Sequence, residues 1–434
     1  MRIHLLTTFN LLLLFFTITI YGQSPIQANE TRVKERMLHL GRIGDESAGI
    51  LKRVAWSKGD LAARQYITSL MQDAGLTVRI DAAGNIIGSR KGKRTDLPPL
   101  CLGSHTDAVP NGGIYDGDLG VMGALECIEL LNDNQITTEH PLEVIDFVDE
   151  EGGLTGSWAM AGDFPAERLK AMTNSGKTIG EGMRYLGGNP DSLLLAARPK
   201  GSIAGYLELH IEQGANLEKA QKNIGIVEGI VGLLGMNIVV TGLTNHAGTT
   251  PMPIRKDALV TAAKLIILIN ETVLSIPGRQ VATVGQIKAF PGATNVIPGK
   301  VVMSLDLRDL SLTRRDSVLA IIRQRADSLA AATGTHIEFV PDHSTAPALT
   351  DRRYQELIAQ SAKELGLSTL TLPSGAGHDA QEMARIAPMG MIFVPSHNGI
   401  SHNPEEYTSP KDMANGASVL FRTLLKLDTA LLRN

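Results

Sequence analysis

The hydrophobic pattern of the chain alternates between helical and strand periodicity. The segment DLAARQYITSLMQDAG places apolar residues at helical spacing and ends at Gly75, which predicts a helix that leads into a strand. The apolar runs in LPPLCLGSH, PLEVIDFV, GSIAGYLELH and MGMIFVPS predict buried strands, and LGVMGALECIELLNDN predicts another helix. This alternation predicts an α/β domain with a mostly parallel sheet.

The segment from about residue 231 to 346 has a rhythm of its own. Four runs predict strands (GLLGMNIVVTG, ATVGQIKAF, KVVMSLDLRDL and HIEFVPD), and two long amphipathic segments between them predict helices. The order is βαββαβ, so we expect a ferredoxin-like α+β domain at 231–346, inserted into a domain formed by 24–230 and 347–434.

The N-terminus differs from the rest of the chain. MRIHLLTTFNLLLLFFTITIYGQS has a basic start, an apolar stretch from Leu5 to Ile20 and a small residue, Gly22, near a suitable cleavage point. This pattern is typical of a secretory signal peptide over residues 1–23, and an uncleaved anchor is the alternative. We therefore expect an exported enzyme, periplasmic or secreted, with no membrane partner after processing.

Composition narrows the function classes further. The chain has 434 residues, which exceeds what one hydrophobic core usually serves, and 43% of them are hydrophobic and 20% charged, as in soluble enzymes. The formal net charge of −4 and the absence of a basic cluster argue against a nucleic-acid partner. Cys101 and Cys127 both lie in apolar contexts, which favours buried, unpaired thiols over a disulfide.

Imidazole and carboxylate side chains follow four of the predicted strands. In chain order these are His105, Asp107 and Asp116; Asp149, Glu150 and Glu151; His210, Glu212 and Gln213; and His397 and His402. Ligands bind at the carboxyl ends of strands in open parallel sheets, so we expect these groups to meet at one edge. Each motif alone is more often a cap or a turn, but the four together indicate a site.

The donor set indicates a pair of metal ions. Imidazole and carboxylate without thiolate suit zinc, manganese, cobalt or nickel. Three histidines and two acids exceed the needs of one catalytic ion and fit two ions, roughly 3.5–4 Å apart, with one bridging carboxylate. Of the adjacent Glu150 and Glu151, one can bind metal while the other accepts a proton. Asp107 is expected to accept the second ring N–H of His105.

The motifs that carry these residues resemble the amidase/hydantoinase–carbamoylase branch of the M20 metallohydrolases. The similarity runs from about residue 32 to the C-terminus, through GSHTDAVPNGGIYDG, DEEG, LELHIEQG, GLTNHAGTTPMPIRKDAL, ATNVIPG, LDLRDL, SGAGHDA and GISHNPEEYT. The chain departs from the usual pattern at Ala108 and at Gly153-Leu154, and the second departure leaves the substrate preference open.

The resemblance implies a metallopeptidase-like catalytic domain with an inserted lid and dimerisation domain, and it implies roles for individual residues. One ion would be held by His105, Asp116 and His210, and the other by Asp116, Glu151 and His402. Glu150 would be the general base, and Asp107 would lie behind the ligands. The substrate contacts would be Gln213, His246, Asn295, Arg308, Gly377 and His378. In the implied homodimer, His246 acts across the interface on the developing oxyanion, and Arg308 pairs with the substrate carboxylate.

The resemblance also implies the reaction. We expect an amidohydrolase that cleaves the ureido C–N bond of an N-carbamoyl-amino acid or an allantoate-like substrate, with two divalent ions per subunit. Zinc is the first choice, and manganese, cobalt or nickel are alternatives. The competing functions are an M20 exopeptidase or aminoacylase and a periplasmic binding protein without turnover. Glu150 beside a complete ligand set argues against the last, because binding alone needs no base.

Overall fold

The computed structural model describes residues 25–44 and 53–433. The predicted signal peptide, residues 1–23, lies outside the described residues. The helices are α1 (Glu30–Arg42), α2 (Lys58–Asp73), α3 (Asp118–Asp133), α4 (Thr155–Ala161), α5 (Ile179–Tyr185), α6 (Asn216–Lys219), α7 (Ala258–Ser275), α8 (Leu312–Thr333), α9 (Arg352–Glu364), α10 (Asp379–Met383) and α11 (Pro410–Ala430). Short 3₁₀ turns span Ala166–Lys170, Pro190–Ala196, Met252–Ile254, His397–Gly399 and Leu431–Arg433.

The strands form two main sheets. They are β1 (Thr77–Ile80), β2 (Ile86–Arg90), β3 (Leu100–His105), β4 (Leu142–Phe147), β5 (Gly205–Ile211), β6 (Ile224–Ile230), β7 (Gly232–Thr241), β8 (Asn245–His246), β9 (Val281–Thr283), β10 (Ile287–Phe290), β11 (Val296–Ile297), β12 (Lys300–Asp309), β13 (His336–Ser344), β14 (Ala348–Leu349), β15 (Thr369–Ser374) and β16 (Met389–Val394). The chain passes from the first sheet to the second between Ile230 and Gly232 and returns between Ser344 and Ala348.

The first sheet has a parallel centre and antiparallel edges. Its order is β1-β2-β4-β3-β5-β16-β6-β14, with β15 also paired to β6. The four central strands β4, β3, β5 and β16 are mutually parallel, so their carboxyl ends lie at one edge. The α/β prediction is confirmed, and the sheet brings together the strand ends on which the site was predicted.

Helices cover the first sheet because their apolar faces are complementary to it. Helix α3 is buried over nearly its whole length and packs on β3 and β5, while α11 packs on α3 and β16. Helix α2 begins where the Ser57 side chain accepts the amide of Asp60, and Gly75 follows its end with a φ of +83°. Cys101 and Cys127 are buried free thiols, as the sequence predicted.

The second sheet, which we call the lid sheet, has the order β10-β12-β7-β13, with β9 also on β12. All these pairs are antiparallel, and α7 and α8 cover one face, which is the predicted ferredoxin-like arrangement. The predicted strand ATVGQIKAF is two short strands instead of one. The hydroxyl oxygen of Ser304 on β12 accepts the amides of Gly285 and Gln286 at 3.2 and 3.0 Å, which interrupts the ladder.

Helix α7 is the one helix in the described part of the chain that is apolar and long enough to cross a membrane. It has 18 residues and a mean hydropathy of 1.6, and 33% of it is buried. Ala262, Leu265 and Ile269 form its buried face against the lid sheet. Val260, Ile267 and Leu274 recur every seven residues on a face that is exposed.

Candidate metal centre and active site

Asp116 lies at the centre of the site, and its two carboxylate oxygens face different groups of ligands. Oδ1 lies 3.2 Å from Nε2 of His210 and 3.7 Å from Nε2 of His105. Oδ2 lies 3.3 Å from Nε2 of His402, which is 3.5 Å from Oε1 of Glu151. Two triads therefore share one aspartate, which is the arrangement of a bridging carboxylate between two ions.

The ligand atoms in each triad are close enough to bind one ion. Within His105, Asp116 and His210, and within Asp116, Glu151 and His402, these atoms all lie within 4.8 Å of one another. Ligands at about 2.0–2.2 Å from a common zinc ion lie up to about 4.4 Å apart. Oε1 of Glu151 receives no hydrogen bond from any described residue, so it is available to a cation.

The two buried histidines present the ring nitrogen that metal binding requires. Nδ1 of His105 lies 2.9 Å from the carbonyl oxygen of Asp107, and Nδ1 of His210 lies 2.9 Å from that of Ile211. A carbonyl oxygen only accepts, so each Nδ1 carries a proton, and Nε2, which faces Asp116, is the nitrogen that a metal ion would use. The backbone of β3 and β5 thus sets the tautomer of both rings.

The carboxylate of Asp107 has a different partner from the one predicted. It lies 3.7 Å from Nδ1 of His105, which donates to the carbonyl oxygen of Asp107 instead. The two carboxylate oxygens accept the backbone amides of Glu150 and Glu151 at 3.1 and 3.2 Å. Asp107 therefore positions the loop after β4 through these two bonds.

Buried acids give the site a strongly anionic interior. Burial, with the nearby charge of Asp379, raises the pKa of Glu150 well above its usual value, and burial with the charge of Asp116 raises that of Glu151 to about 8. Burial also raises the pKa of Asp107 to about 6. So many carboxylates in one buried place require positive charge to stay ionised, and divalent cations would supply it.

The pKa values of the two buried histidines shift in opposite directions, and His210 is the one that lies closer to Asp116. Burial lowers the pKa of His105 to about 4. Burial acts in the same direction on His210, but the hydrogen bond and charge of Asp116 and the charge of Glu208 together outweigh it and raise the pKa of His210 to about 9. A cation that binds this triad has to displace that proton, since metals bind the neutral ring.

Gly117 is the residue that lets the loop pass behind His105. It caps α3 with a φ of +67°, and a Cβ there would lie 2.4 Å from the His105 ring. Its amide also points at Nε2 of His210 at 3.2 Å. Glycine is required here both for the positive φ and for the close approach.

Several residues that sequence reasoning missed support Asp116 from behind. Oε1 of Glu406 accepts the amides of Tyr115 and Asp116 at 2.9 and 3.1 Å. The Ser401 hydroxyl lies 3.0 Å from Oδ2 of Asp116 and 2.8 Å from Oε2 of Glu406. The motif GISHNPEEYT contains both, so its second acid was the available signal. Gln213, which was expected to contact substrate, donates from Nε2 to Asp116 Oδ2 at 2.6 Å.

His378 lies beside the first triad, where it packs on a ligand. Its ring is 1% exposed and makes an edge contact with His210, with centroids 4.4 Å apart. Its Nε2 is 2.8 Å from the Ser374 hydroxyl, and burial lowers its pKa well below the usual value. Glu208 lies near both rings, and its carboxylate accepts the Ser104 hydroxyl and the amide of Ala380 at 2.8 and 3.0 Å. Gly377, the residue before His378, is exposed.

The predicted lid residues are apart from the metal ligands and more exposed. Arg308 on β12 donates to both oxygens of Asp306 at 2.8 and 2.9 Å and to the Gly375 carbonyl at 2.7 Å. His246 is exposed, and its Nδ1 accepts the amides of Gly248 and Thr249 at 3.0 and 3.2 Å. Its proton is therefore on Nε2. The carbonyl oxygen of Asn295 accepts the amide of Ala247 at 2.9 Å, beside His246.

Comparisons with known proteins match nearly the whole chain. The sequence model described as peptidase family M20/M25/M40 matches residues 101–426. An N-carbamoyl-L-amino acid amidohydrolase from Geobacillus stearothermophilus is 41% identical over 401 residues, covering 91% of this chain and 98% of the relative. A ureidoglycolate hydrolase from Arabidopsis thaliana is 39% identical over 417 residues, covering 93% and 88%. The solved structure of an amidase of the hydantoinase/carbamoylase family from Burkholderia multivorans has a TM-score of 0.86 and 36% identity, covering 93% and 98%.

Proposed function

We propose a specific reaction for this chain, which belongs to peptidase family M20/M25/M40. The protein is an amidohydrolase that cleaves the ureido C–N bond of an N-carbamoyl-amino acid or an allantoate-like substrate. The observation that carries this proposal is the bridging geometry of Asp116, whose two oxygens face two triads with Glu150 beside them. The reaction class comes from the relatives, which are named as carbamoylases, ureidoglycolate hydrolase and allantoate deiminase.

The proposed metal centre consists of two divalent ions. His105, Asp116 and His210 would hold one, and Asp116, Glu151 and His402 the other. Bound there, such ions lower the pKa of a water molecule and polarise a carbonyl group. Zinc fits this imidazole and carboxylate set first, and manganese, cobalt and nickel also fit it.

Glu150 is the proposed proton carrier. Oε2 of Glu150 lies 3.7 Å from Nε2 of His105, and the backbone amide of Glu150 donates to the Asp107 carboxylate. Glu150 takes a proton from the attacking water as the new C–O bond forms at the carbamoyl carbon. The same carboxyl gives that proton to the leaving nitrogen when the C–N bond breaks. The final products from an N-carbamoyl substrate are ammonia, carbon dioxide and the amino acid, and allantoate gives a ureidoglycine-type product.

The lid is proposed to complete the site. His246 has its proton on Nε2, which suits a donor to the developing oxyanion. The fork of Arg308 already holds the carboxylate of Asp306 bidentately, the geometry that a substrate carboxylate would use. Gln213, Asn295, Gly377 and His378 are the remaining proposed substrate contacts.

We propose a homodimer in which His246 of one subunit acts in the site of the other. The support is the exposed apolar stripe of Val260, Ile267 and Leu274 on α7, which are 48%, 59% and 78% exposed. An apolar stripe of this kind is typical of a subunit interface.

A substrate panel under several divalent ions tests the reaction. Colorimetric ammonia release should follow addition of N-carbamoyl-L-amino acids, allantoate or 3-ureidopropionate, and should be absent with dipeptides and N-acetyl-amino acids. Hydrolysis of dipeptides or N-acetyl-amino acids without ammonia release would favour an exopeptidase or aminoacylase. Binding of these compounds without turnover of any substrate in the panel would favour a binding protein.

We also propose export of the mature protein after removal of residues 1–23. The support is the charge and hydropathy pattern of the N-terminal segment. N-terminal sequencing of protein from a periplasmic or culture fraction tests this, and retention in the membrane with an intact N-terminus would instead indicate an anchor.

A further inference from the structure

A cavity of about 400 Å³ lies against the metal centre. It shares Asp107 and Glu151 with the site, and Ala108, Met172 and Arg168 form other parts of its wall. The cavity borders the loop after β4, and this loop carries Glu151, one of the proposed metal ligands. A group held at the ions would therefore have an adjacent space for a substituent.

Among the described residues, Arg168 is the one cation that lines this cavity. Its guanidinium stacks over the Trp158 and Phe164 rings, 5.1 and 5.8 Å from their centroids. Within the described part of the chain this guanidinium makes no hydrogen bond or ion pair, although the backbone of Arg168 does. Asp149, in the same wall, is bonded instead to the Thr155 hydroxyl at 2.5 Å. Arg168 is thus held in place by two aromatic rings while its donors have no acceptor.

The backbone beside Glu151 makes room for this guanidinium. Gly153 has a φ of +133°, and a Cβ at that position would lie 2.5 Å from Nη2 of Arg168. The absence of a side chain lets the guanidinium lie over the loop, two residues beyond Glu151. The cation is therefore next to the metal centre, in contrast to Arg308, which lies on the lid sheet.

We propose that this cavity receives the amino-acid side chain of the substrate and that Arg168 binds an anionic group at its end, so that ureido dicarboxylates are the preferred substrate class. The inference rests on the proposed function, because it specifies the substrate of the same site. A guanidinium already fixed by stacking loses little conformational freedom when it pairs with a carboxylate. A neutral side chain would displace water from the guanidinium without replacing its hydrogen bonds, which adds discrimination against it.

The kinetic test uses substrates that differ in charge and not in shape. We expect the wild-type enzyme to have a higher kcat/KM for N-carbamoyl-L-glutamate than for N-carbamoyl-L-glutamine, by about 10- to 100-fold, the size of a charge-assisted hydrogen bond. Arg168→Gln should remove this preference through loss of the glutamate reaction. Lys170→Gln is the matched control, because Lys170 lies on the same exposed turn and does not line the cavity.

Equal loss for both substrates in Arg168→Gln, or an unchanged preference, overturns the assignment. So does a wild-type enzyme that turns over both substrates without preference.

A binding measurement separates this inference from the proposed reaction. Calorimetric titration of the metal-loaded protein should give tighter binding of glutarate than of its monoamide, and Arg168→Gln should abolish that difference while Lys170→Gln keeps it. If no carbamoyl compound is hydrolysed but this difference is seen, the proposed function fails and the role of Arg168 stands. If the wild-type protein binds glutarate and the monoamide equally, the role of Arg168 is wrong whatever the reaction is.

Discussion

The edge of the first sheet and the lid sheet hold their predicted functional residues in opposite ways. At the sheet edge, His105 and His210 are buried, and backbone carbonyls fix both rings. On the lid, His246 is exposed and Arg308 is bonded to an acid of its own strand. Parallel strands bring their ends together by topology alone, so the candidate ligands of both triads belong to the first sheet and its loops. The roles proposed for the lid residues would need substrate or a second subunit to meet them.

This contrast predicts that substitutions in the first region abolish metal binding, while those on the lid spare it. The largest effect is expected for Asp116→Ala. Because each oxygen of Asp116 faces one triad, both ions should be lost and activity should fall at least ~1000-fold, the loss of metal-assisted water activation. Metal analysis of the dialysed protein checks this. Asp306→Ala, the control on the lid, should retain its metal. Equal metal loss in both variants would mean that metal binding does not depend on the first region alone.

The next effect separates chemistry from metal binding within the first region. Glu150→Gln keeps the shape of the side chain and removes its ability to carry a proton, so kcat should fall about 1000-fold, as for loss of a general base. Its metal content should equal that of the wild type. Glu405→Gln, an exposed acid in the His402 loop, should change neither quantity. Full activity of Glu150→Gln would show that another group moves the proton.

A smaller effect is expected on the lid. His246→Ala should lower kcat about 100-fold, the cost of one oxyanion donor, with metal content and thermal unfolding unchanged. His336→Ala is the matched control, an exposed histidine on β13 of the lid sheet, outside the two-stranded β8–β11 sheet that carries His246. Mixing His246→Ala with Arg308→Ala protein should restore part of the activity through hybrid dimers. If the mixture remains inactive, His246 does not act across an interface.

The smallest effect concerns packing behind a ligand. Gly117→Ala would place a Cβ against the His105 ring, so it should destabilise the fold by about 1–3 kcal/mol more than Gly366→Ala. Gly366 also has a positive φ, +70°, but no atom lies within 4 Å of its Cβ position. Chemical denaturation of both variants measures the difference. Equal destabilisation would mean that backbone strain alone explains the cost.

The sequence predicted the parallel core and the ligand cluster because both depend on local patterns. A histidine or an acid at the end of an apolar run is visible in the sequence. Because the four strands are parallel neighbours, four such residues come together in one site. The pairing of β6 was not predicted, since its antiparallel contact with β16 depends on residues far apart in the chain. The motif resemblance to the M20 metallohydrolases is confirmed by the match over residues 101–426.

Partners of individual side chains were harder to predict than their location. Asp107 was expected beside His105, yet its carboxylate accepts two amides of the neighbouring strand's loop. Glu406 was not singled out, although it holds the loop of Asp116. Both contacts cross between segments, and a hydrogen bond between segments leaves no spacing signal in the sequence.

The bond from Arg308 to the Gly375 carbonyl gives the two sheets a mechanical linkage. Gly375 is three residues before His378, whose ring rests on the His210 ligand. An anion that bound the Arg308 guanidinium would compete with this carbonyl for the same donor. Anion binding on the lid sheet would then free a carbonyl oxygen three residues before the ring that packs on His210.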